Sequence, residues 1–372
     1  MSVSNWFKQL VPSLGILCVI SSPVHAAVQD YLVTANRPNN LQVVDLKTEK
    51  VVRTCKVPDH ISPGVVVMSP DKSTAFVLAG RWENIYGINI DSCKVTFSAK
   101  QSTSKERVKT ITSLAVSPDN KQVYTIQTPT FLGKNEYKVL PPRFAVFNVA
   151  DGLNAKVAKT FPAPRQISTM ATGADGTVYA AGAHIYAIDP VKGSVDIKIK
   201  MRDWGRKNMA NPDALAVWPI GDISKEFLIM YTTAKFKDGS QDPATAEWLW
   251  GYSRVDLTTG EAEQREFAPI EVIMFTGITH PKDKNILYGI LSQLTKHDVK
   301  TGKVVKRVDL DHSFYCINMS SSGDKIYIGG TLNTIEVYDS DNLEKLSQIQ
   351  LTGGDQGAAT VQVFAREALS AS

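Results

Sequence analysis

One unit recurs along this chain of 372 residues: an acid, a short polar turn and a new strand. It reads VVDLKTEKVV at 43–52, INIDSCKV at 88–95, FNVADGLNAKV at 147–157, AIDPVKGSV at 187–195, RVDLTTGEAE at 254–263, HDVKTGKVV at 297–305 and VYDSDNLEKL at 337–346. The acids are Asp45, Asp91, Asp151, Asp189, Asp256, Asp298 and Asp339. Ahead of most of them stands a second turn and strand, as in SPDKSTAFVL, SPDNKQVYTI, GADGTVYAAG, HPKDKNILYG and SSSGDKIYIGG. Asp, Asn and Gly suit such turns because they cap the backbone with a side-chain oxygen or accept left-handed conformations. Each unit therefore holds four short strands, and repeats of roughly 40–50 residues with four strands are propeller blades.

The strands alternate or are apolar throughout, and helical periodicity is nearly absent. The first unit begins at its second strand, DYLVTAN, while the chain ends in a spare strand within GGDQGAATVQVFARE. Thr360–Ala365 is expected to supply the innermost strand of blade one, removing the edge that an open array exposes. The sequence thus predicts an all-β fold. It is a seven-bladed β-propeller of four-stranded antiparallel blades over 27–372, its ring closed by the C-terminal strand pairing into blade one.

Residues 1–26 read separately. Lys8 precedes the apolar run LVPSLGILCVI, and small residues follow up to Ala26, the pattern of a secretory signal peptide. That run is too short to span a bilayer, and the remainder is expected to be exported and soluble. A net charge of only +4 implies neither a nucleic-acid partner nor an anionic membrane. Cys55, Cys93 and Cys316 then remain, in an oxidising compartment that permits one pair. Cys55 falls in the outer strand of blade one and Cys93 near the outer turn of blade two, so any disulfide is expected to join these two. Cys316, in FYCINM, is placed on an innermost strand as a small buried hydrophobe.

Chemistry is sparse. No two histidines have metal-ligand spacing, and no C-x-x-C-H haem motif, G-x-S-x-G elbow or phosphate-binding loop occurs. His297 is assigned to an outer strand. Glu261, Glu263 and Glu266 are assigned to another, facing water. The Asn318-Met319-Ser320 sequon falls inside an inner strand, and Trp218 in PDALAVW reads as core. No catalytic residue, cofactor-binding residue or metal ligand is expected in this chain.

Loop lengths divide the two faces. In a propeller the connections between first and second, and third and fourth, strands lie on one face; here all are short. The insertions 127–143 and 234–248 join second to third strands, and the links 99–110 and 201–213 join successive blades, so all four fall on the opposite face. Long ordered loops on a rigid scaffold carry function disproportionately. They bring Phe131, Tyr137, Trp204 and Trp248, side chains that interfaces favour. Around the channel mouth on that face the reading places Arg165, Asp213, Phe275, His312 and Tyr315.

The order of APRQIS (163–168), PDALAVW (212–218) and HSFYCINMS (312–320), with ERVKT (106–110), PPR (141–143) and IGGTLNTIEVYD (328–339), resembles the beta subunit of bacterial quinohemoprotein amine dehydrogenase over nearly the whole chain after residue 26. The resemblance implies a periplasmic heterotrimer that oxidatively deaminates primary amines. A small gamma subunit would carry the cysteine tryptophylquinone. A dihaem cytochrome c alpha subunit, with c-type haems, would pass electrons to a soluble redox protein. This chain would be the cofactor-free propeller enclosing the quinone site, its loop face toward the gamma subunit. Two other classes fit a propeller: a stand-alone periplasmic hydrolase of the lactonase kind, which needs Arg165, Asp213 and His312 to converge, and a non-enzymatic binding propeller.

Overall fold

In the computed structural model, residues 28–60, 63–221, 223–357 and 359–368 are described, together with Met1; the expected signal segment otherwise lies outside the described residues. Seven antiparallel sheets follow one another around a ring. Blade 1 comprises Val28–Asn36, Asn40–Asp45 and Lys50–Lys56, with Gln362–Glu367 as its innermost strand. The closing strand pairs antiparallel to the first, Val28 opposite Glu367 and Val33 opposite Gln362. It begins two residues later than the sequence suggests. Blades 2, 4, 6 and 7 are four-stranded, beginning at Val66, Thr169, Met274 and Cys316.

Why the middle strands are apolar throughout is visible in the packing. Successive side chains on a strand point to opposite faces, and in a ring both faces meet a neighbouring blade. In Thr74–Ala79, Ala75, Val77 and Ala79 join the cluster shared with blade 1, whereas Phe76 and Leu78 join the one shared with blade 3. Seven apolar clusters result, one at each junction, and the seventh unites blades 7 and 1. Outermost strands such as Lys303–Asp309 have a neighbour on only one edge and are largely exposed.

The repeated turn is sharper than the row of acids suggests. Asp45, Asp189, Asp256, Asp298 and Asp339 each accept two N–H groups from residues two and three further on. The residue four further on has left-handed backbone: Glu49, Gly193, Gly260, Gly302 and Leu343. In blade 2 the capping residue is Asn89, with Cys93 left-handed, and Asp91 instead faces Arg366. In blade 3 the equivalent pair is Asn148 and Gly152, with Asp151 in a short 3-10 turn. The unit is defined by an Asx residue and a left-handed residue four later, not by an acid.

Two blades depart from four strands. In blade 3, Glu106–Lys109 and Tyr137–Val139 pair along the far half of the long strand Gln122–Leu132, making a small sheet that projects from the loop face. Blade 5 has three strands, Glu226–Lys235, Glu247–Asp256 and Ala262–Pro269. Among the described residues its innermost position is met only by isolated bridges, Met209 with Lys235 and Asp213 with Thr232. Beyond Asp213 the chain leaves the ladder, and Pro219 further on has no N–H to rejoin it.

Candidate functional site: the channel mouth and the loop face

The displaced blade 5 segment crosses the central channel. Trp218 packs with the cluster of blades 7 and 1, and Ile220 with those of blades 5, 6 and 7. Its carbonyls are held from across the ring: Gln362 donates to Pro219 O at 3.2 Å and Asn318 to Ile220 O at 2.6 Å. Asn318 is fully buried and also donates to Val361 O at 3.0 Å, so its amide serves the channel rather than a sugar. The same channel carries other stitches between blades. Thr360 bonds both N–H and C=O of Val66, Gln362 accepts from Met68 N, and Cys316 donates to Ala359 O. Thr112 donates to Ser168 O, and Ser168 donates to Ala216 O. Innermost strands have one unpaired edge, and these side chains satisfy it.

Above this plug, toward the loop face, three rings stack. Trp218, Phe275 and Tyr315 have centroids 5.6–6.4 Å apart and planes within 16–19°. Of the five rim residues expected from sequence, the structure thus unites Phe275 and Tyr315, around a tryptophan read as blade core. The missed signal was proline directly after Trp218 in a supposed strand. Arg165 is exposed and has no hydrogen bond or ion pair among the described residues. Asp213 is exposed, its backbone paired with Thr232. His312 lies on Phe314, centroids 4.1 Å apart, and its Nδ1 meets Ser313 O and the Thr331 hydroxyl. The mouth is therefore an aromatic floor with separate charges at its rim.

The loop face exposes large apolar side chains among its charges. Trp82, Ile111, Tyr137, Val139, Leu215, Trp248, Ile273 and Leu332 are all exposed there. Among the described residues, the turns of the opposite face expose only Leu153 and Val191 as large apolar side chains. Tyr137 is 79% and Trp248 52% accessible. The projecting sheet that carries Tyr137 is braced: Arg143 pairs with Glu106 at 2.8 Å, and Arg107 with Glu83 of blade 2 at 2.7 Å. Phe131 is half-buried within this sheet.

Trp204 is committed inward. Its ring stands edge-on to buried Tyr231 at 6.0 Å, and the Arg206 guanidinium lies 4.4 Å from its centre. Arg206 in turn grips Glu266 through two bonds of 2.5 and 2.6 Å, and Glu266 accepts from the Tyr231 hydroxyl. Burial would raise the Glu266 carboxyl, but the Arg206 and Tyr231 hydrogen bonds outweigh it and hold it below its ordinary range. Glu266 is thus a structural partner, not a solvated acid, and Glu263 likewise pairs with Arg254 at 2.6 Å. His297 sits in the third strand of blade 6, not the outermost, and is 1% accessible against Phe267. Burial lowers its pKa to about 4.

Cys55 and Cys93 form a disulfide with Cα atoms 5.0 Å apart, joining blades 1 and 2, while Cys316 is buried as a thiol raised far above its usual pKa by desolvation. Among the described residues no cluster of His, Cys, Asp or Glu is arranged to hold a metal, and no helix is long and apolar enough to cross a membrane.

The fold and its closure define a seven-bladed β-propeller protein whose channel is crossed by the blade 5 segment. No family model matches the chain, and no curated protein matches it in sequence. Among solved structures it is similar to apo AztD from Citrobacter koseri, at 11% identity and TM-score 0.51 over 91% of this chain and 99% of that one. A functionally unknown protein from Desulfotomaculum acetoxidans matches at 10% identity and TM-score 0.54, over 90% and 98% of the two chains. Kuenenia stuttgartiensis hydrazine synthase matches at 13% and 0.51, over 84% and 90%. At such identities the likeness establishes the fold alone.

Proposed function

We propose that this chain is the non-catalytic propeller subunit of a periplasmic quinohemoprotein amine dehydrogenase. The observation that carries the reading is positional. The stretches whose order resembles that beta subunit lie on, or start from, one side: 106–110 in the projecting sheet, 141–143 at the entry to the third strand of blade 3, 163–168 and 212–218 leading to the inner positions of blades 4 and 5, 312–320 running from the mouth into the innermost strand of blade 7, and 328–339 turning on that side at 330–333. That side also exposes Tyr137, Val139 and Trp248.

In this reading the loop face receives the small gamma subunit bearing cysteine tryptophylquinone, with the dihaem alpha subunit completing the complex. The quinone supplies the amine-oxidising chemistry in its own subunit. This chain's residues bind and exclude water. Tyr137, Val139 and Trp248 bury apolar area at the contact. Trp218, Phe275 and Tyr315 present a dry, rigid floor, with Arg165, Asp213 and His312 at its rim nearest the amine pocket. Rigid aromatic side chains lose little conformational freedom on docking, which suits them to this role.

Native purification from the exporting cell tests the proposal. A complex with haem absorbance and a small cross-linked chain, oxidising primary amines, is expected, and the separated propeller chain should be colourless and inactive. A colourless monomer with lactone-hydrolysing activity would overturn it. Hydrogen exchange should show protection in 127–143 and 234–248 within the complex; protection confined to the short-turn face would refute the assigned surface.

A further inference from the structure

The small sheet that projects from the loop face has two edges, and this chain closes only one of them. Along Glu106–Lys109 the outward groups are met: Thr103 N–H donates to Glu106 O at 2.8 Å, and the Ser102 hydroxyl accepts from Val108 N at 2.9 Å. Tyr137–Val139 pairs with Gln122–Leu132 alone. Gly133 donates to Glu136 O at 2.8 Å and Leu140 to Pro129 O at 3.0 Å. Bonded and non-bonded residues alternate along an antiparallel pair, so Lys138 bonds inward as well. The N–H and C=O of Tyr137 and Val139 therefore point off the free edge, and no hydrogen bond meets them among the described residues.

Alternation also sorts the side chains. Tyr137 and Val139 share one face of the strand, 79% and 67% accessible, and Lys138 takes the other. The loops that build the sheet, 99–110 and 127–143, carry seven lysines and arginines against two acids, Glu106 and Glu136. Arg143 is paired with Glu106 and Arg107 with Glu83, whereas exposed Lys105, Lys134 and Lys138 have no ion pair among the described residues. The edge is thus open, apolar on one face and surrounded by unpaired positive charge.

We propose, resting on the assignment of the loop face to a partner, that Tyr137–Val139 is a docking edge for an extended acidic segment of that partner. The segment adds to the sheet as an antiparallel strand, with a carboxylate opposite Lys138 and apolar side chains over Tyr137 and Val139. Main-chain bonds give such docking its affinity, and alternate side chains its specificity. The position opposite Lys138 is a non-bonded pair, the class in which side chains approach more closely. The same geometry disfavours a second copy of this chain. Antiparallel pairing of two such edges sets Lys138 against Lys138, and like charges directly opposite destabilise.

The probe is an acetylated and amidated pentapeptide, Thr-Val-Glu-Val-Thr, titrated into the purified chain and followed by amide chemical shifts. One saturable site in the millimolar range is expected, the scale of a few main-chain hydrogen bonds, with shifts over 130–140. A lysine in place of the central glutamate should weaken binding about fivefold, and Lys138→Glu should reverse that preference. N-methylation of either valine should weaken binding about tenfold by deleting a bond to the edge. Val139→Pro should do the same at unchanged melting temperature, because that N–H serves no bond within the fold. No saturable binding, equal binding of the glutamate and lysine peptides, or a preference that Lys138→Glu leaves unchanged would overturn the proposal. So would a dimer of this chain that Val139→Pro dissolves. The titration uses this chain alone, so it can fail while native purification still yields the dehydrogenase complex, and can succeed where that complex is not found.

Discussion

Replacing both Cys55 and Cys93 by alanine should destabilise the protein by an amount set by the loop that the bridge closes. The two cysteines are 38 residues apart. For n of about 38, the loss of chain entropy in the unfolded state is about 13 cal/mol/K, or about 4 kcal/mol at 25 °C. The bridge is not alone at this junction: Arg53 donates to Asp91 O at 2.9 Å, Arg366 pairs with Asp91 at 3.3 Å, and Thr360 and Gln362 bond blade 2 at the centre. Those contacts and the blade 1–2 core survive the substitution, so the native fold should persist. Unfolding entropy of roughly 2.1 cal/mol/K per residue, over about 340 folded residues, is about 0.7 kcal/mol/K, so 4 kcal/mol is a fall of about 5–6 °C. Calorimetry should give that shift for the double variant and the same shift for the unmodified protein under reductant. Alanine is preferred to serine because Cys55 is 1% accessible, and a hydroxyl there would lack a partner. A fall below about 1 °C would refute the chain-entropy account. A fall above about 15 °C would show that the bridge holds the ring together.

Gly251→Ala should destabilise by more than about 3 kcal/mol, because its Cβ would overlap the buried Tyr231 ring and lie 2.6 Å from the hydroxyl that donates to Glu266; urea midpoints read the loss. His297 stays neutral in the fold down to about pH 4, while the unfolded histidine takes a proton near pH 6.5. Its contribution is present above pH 6.5 and is lost as pH falls toward 4, about 3 kcal/mol in all. His297→Gln should flatten the stability–pH curve in that window, and an unchanged slope would contradict the burial. Tyr137→Asp with Trp248→Asp should leave melting within about 1 °C, since both side chains are exposed, yet weaken assembly with the proposed partner subunits at least tenfold by sedimentation.

Much of this protein was determined by local sequence. An Asx residue with a left-handed position four later, followed by strands apolar on both faces, can satisfy itself only by stacking blades, and a spare C-terminal strand can only close the ring. The Cys55–Cys93 pair and the division into a short-turn and a loop face followed from strand order, because connections alternate between faces. Asp91 and Asp151 are not the capping positions: Asn89 offers the same oxygen in blade 2, and in blade 3 Asn148 holds the position without a side-chain bond, a 3-10 turn replacing the cap. What tertiary structure alone decided lies at the centre. Whether 213–221 pairs as a fourth strand or crosses the channel depends on bonds from Asn318 and Gln362, which are 98 and 143 residues away from their partners. No local pattern encodes such distant bonds. The three-ring floor and the inward turn of Trp204 onto Tyr231 and Arg206 both follow from side chains meeting across blades, which only the closed ring brings together.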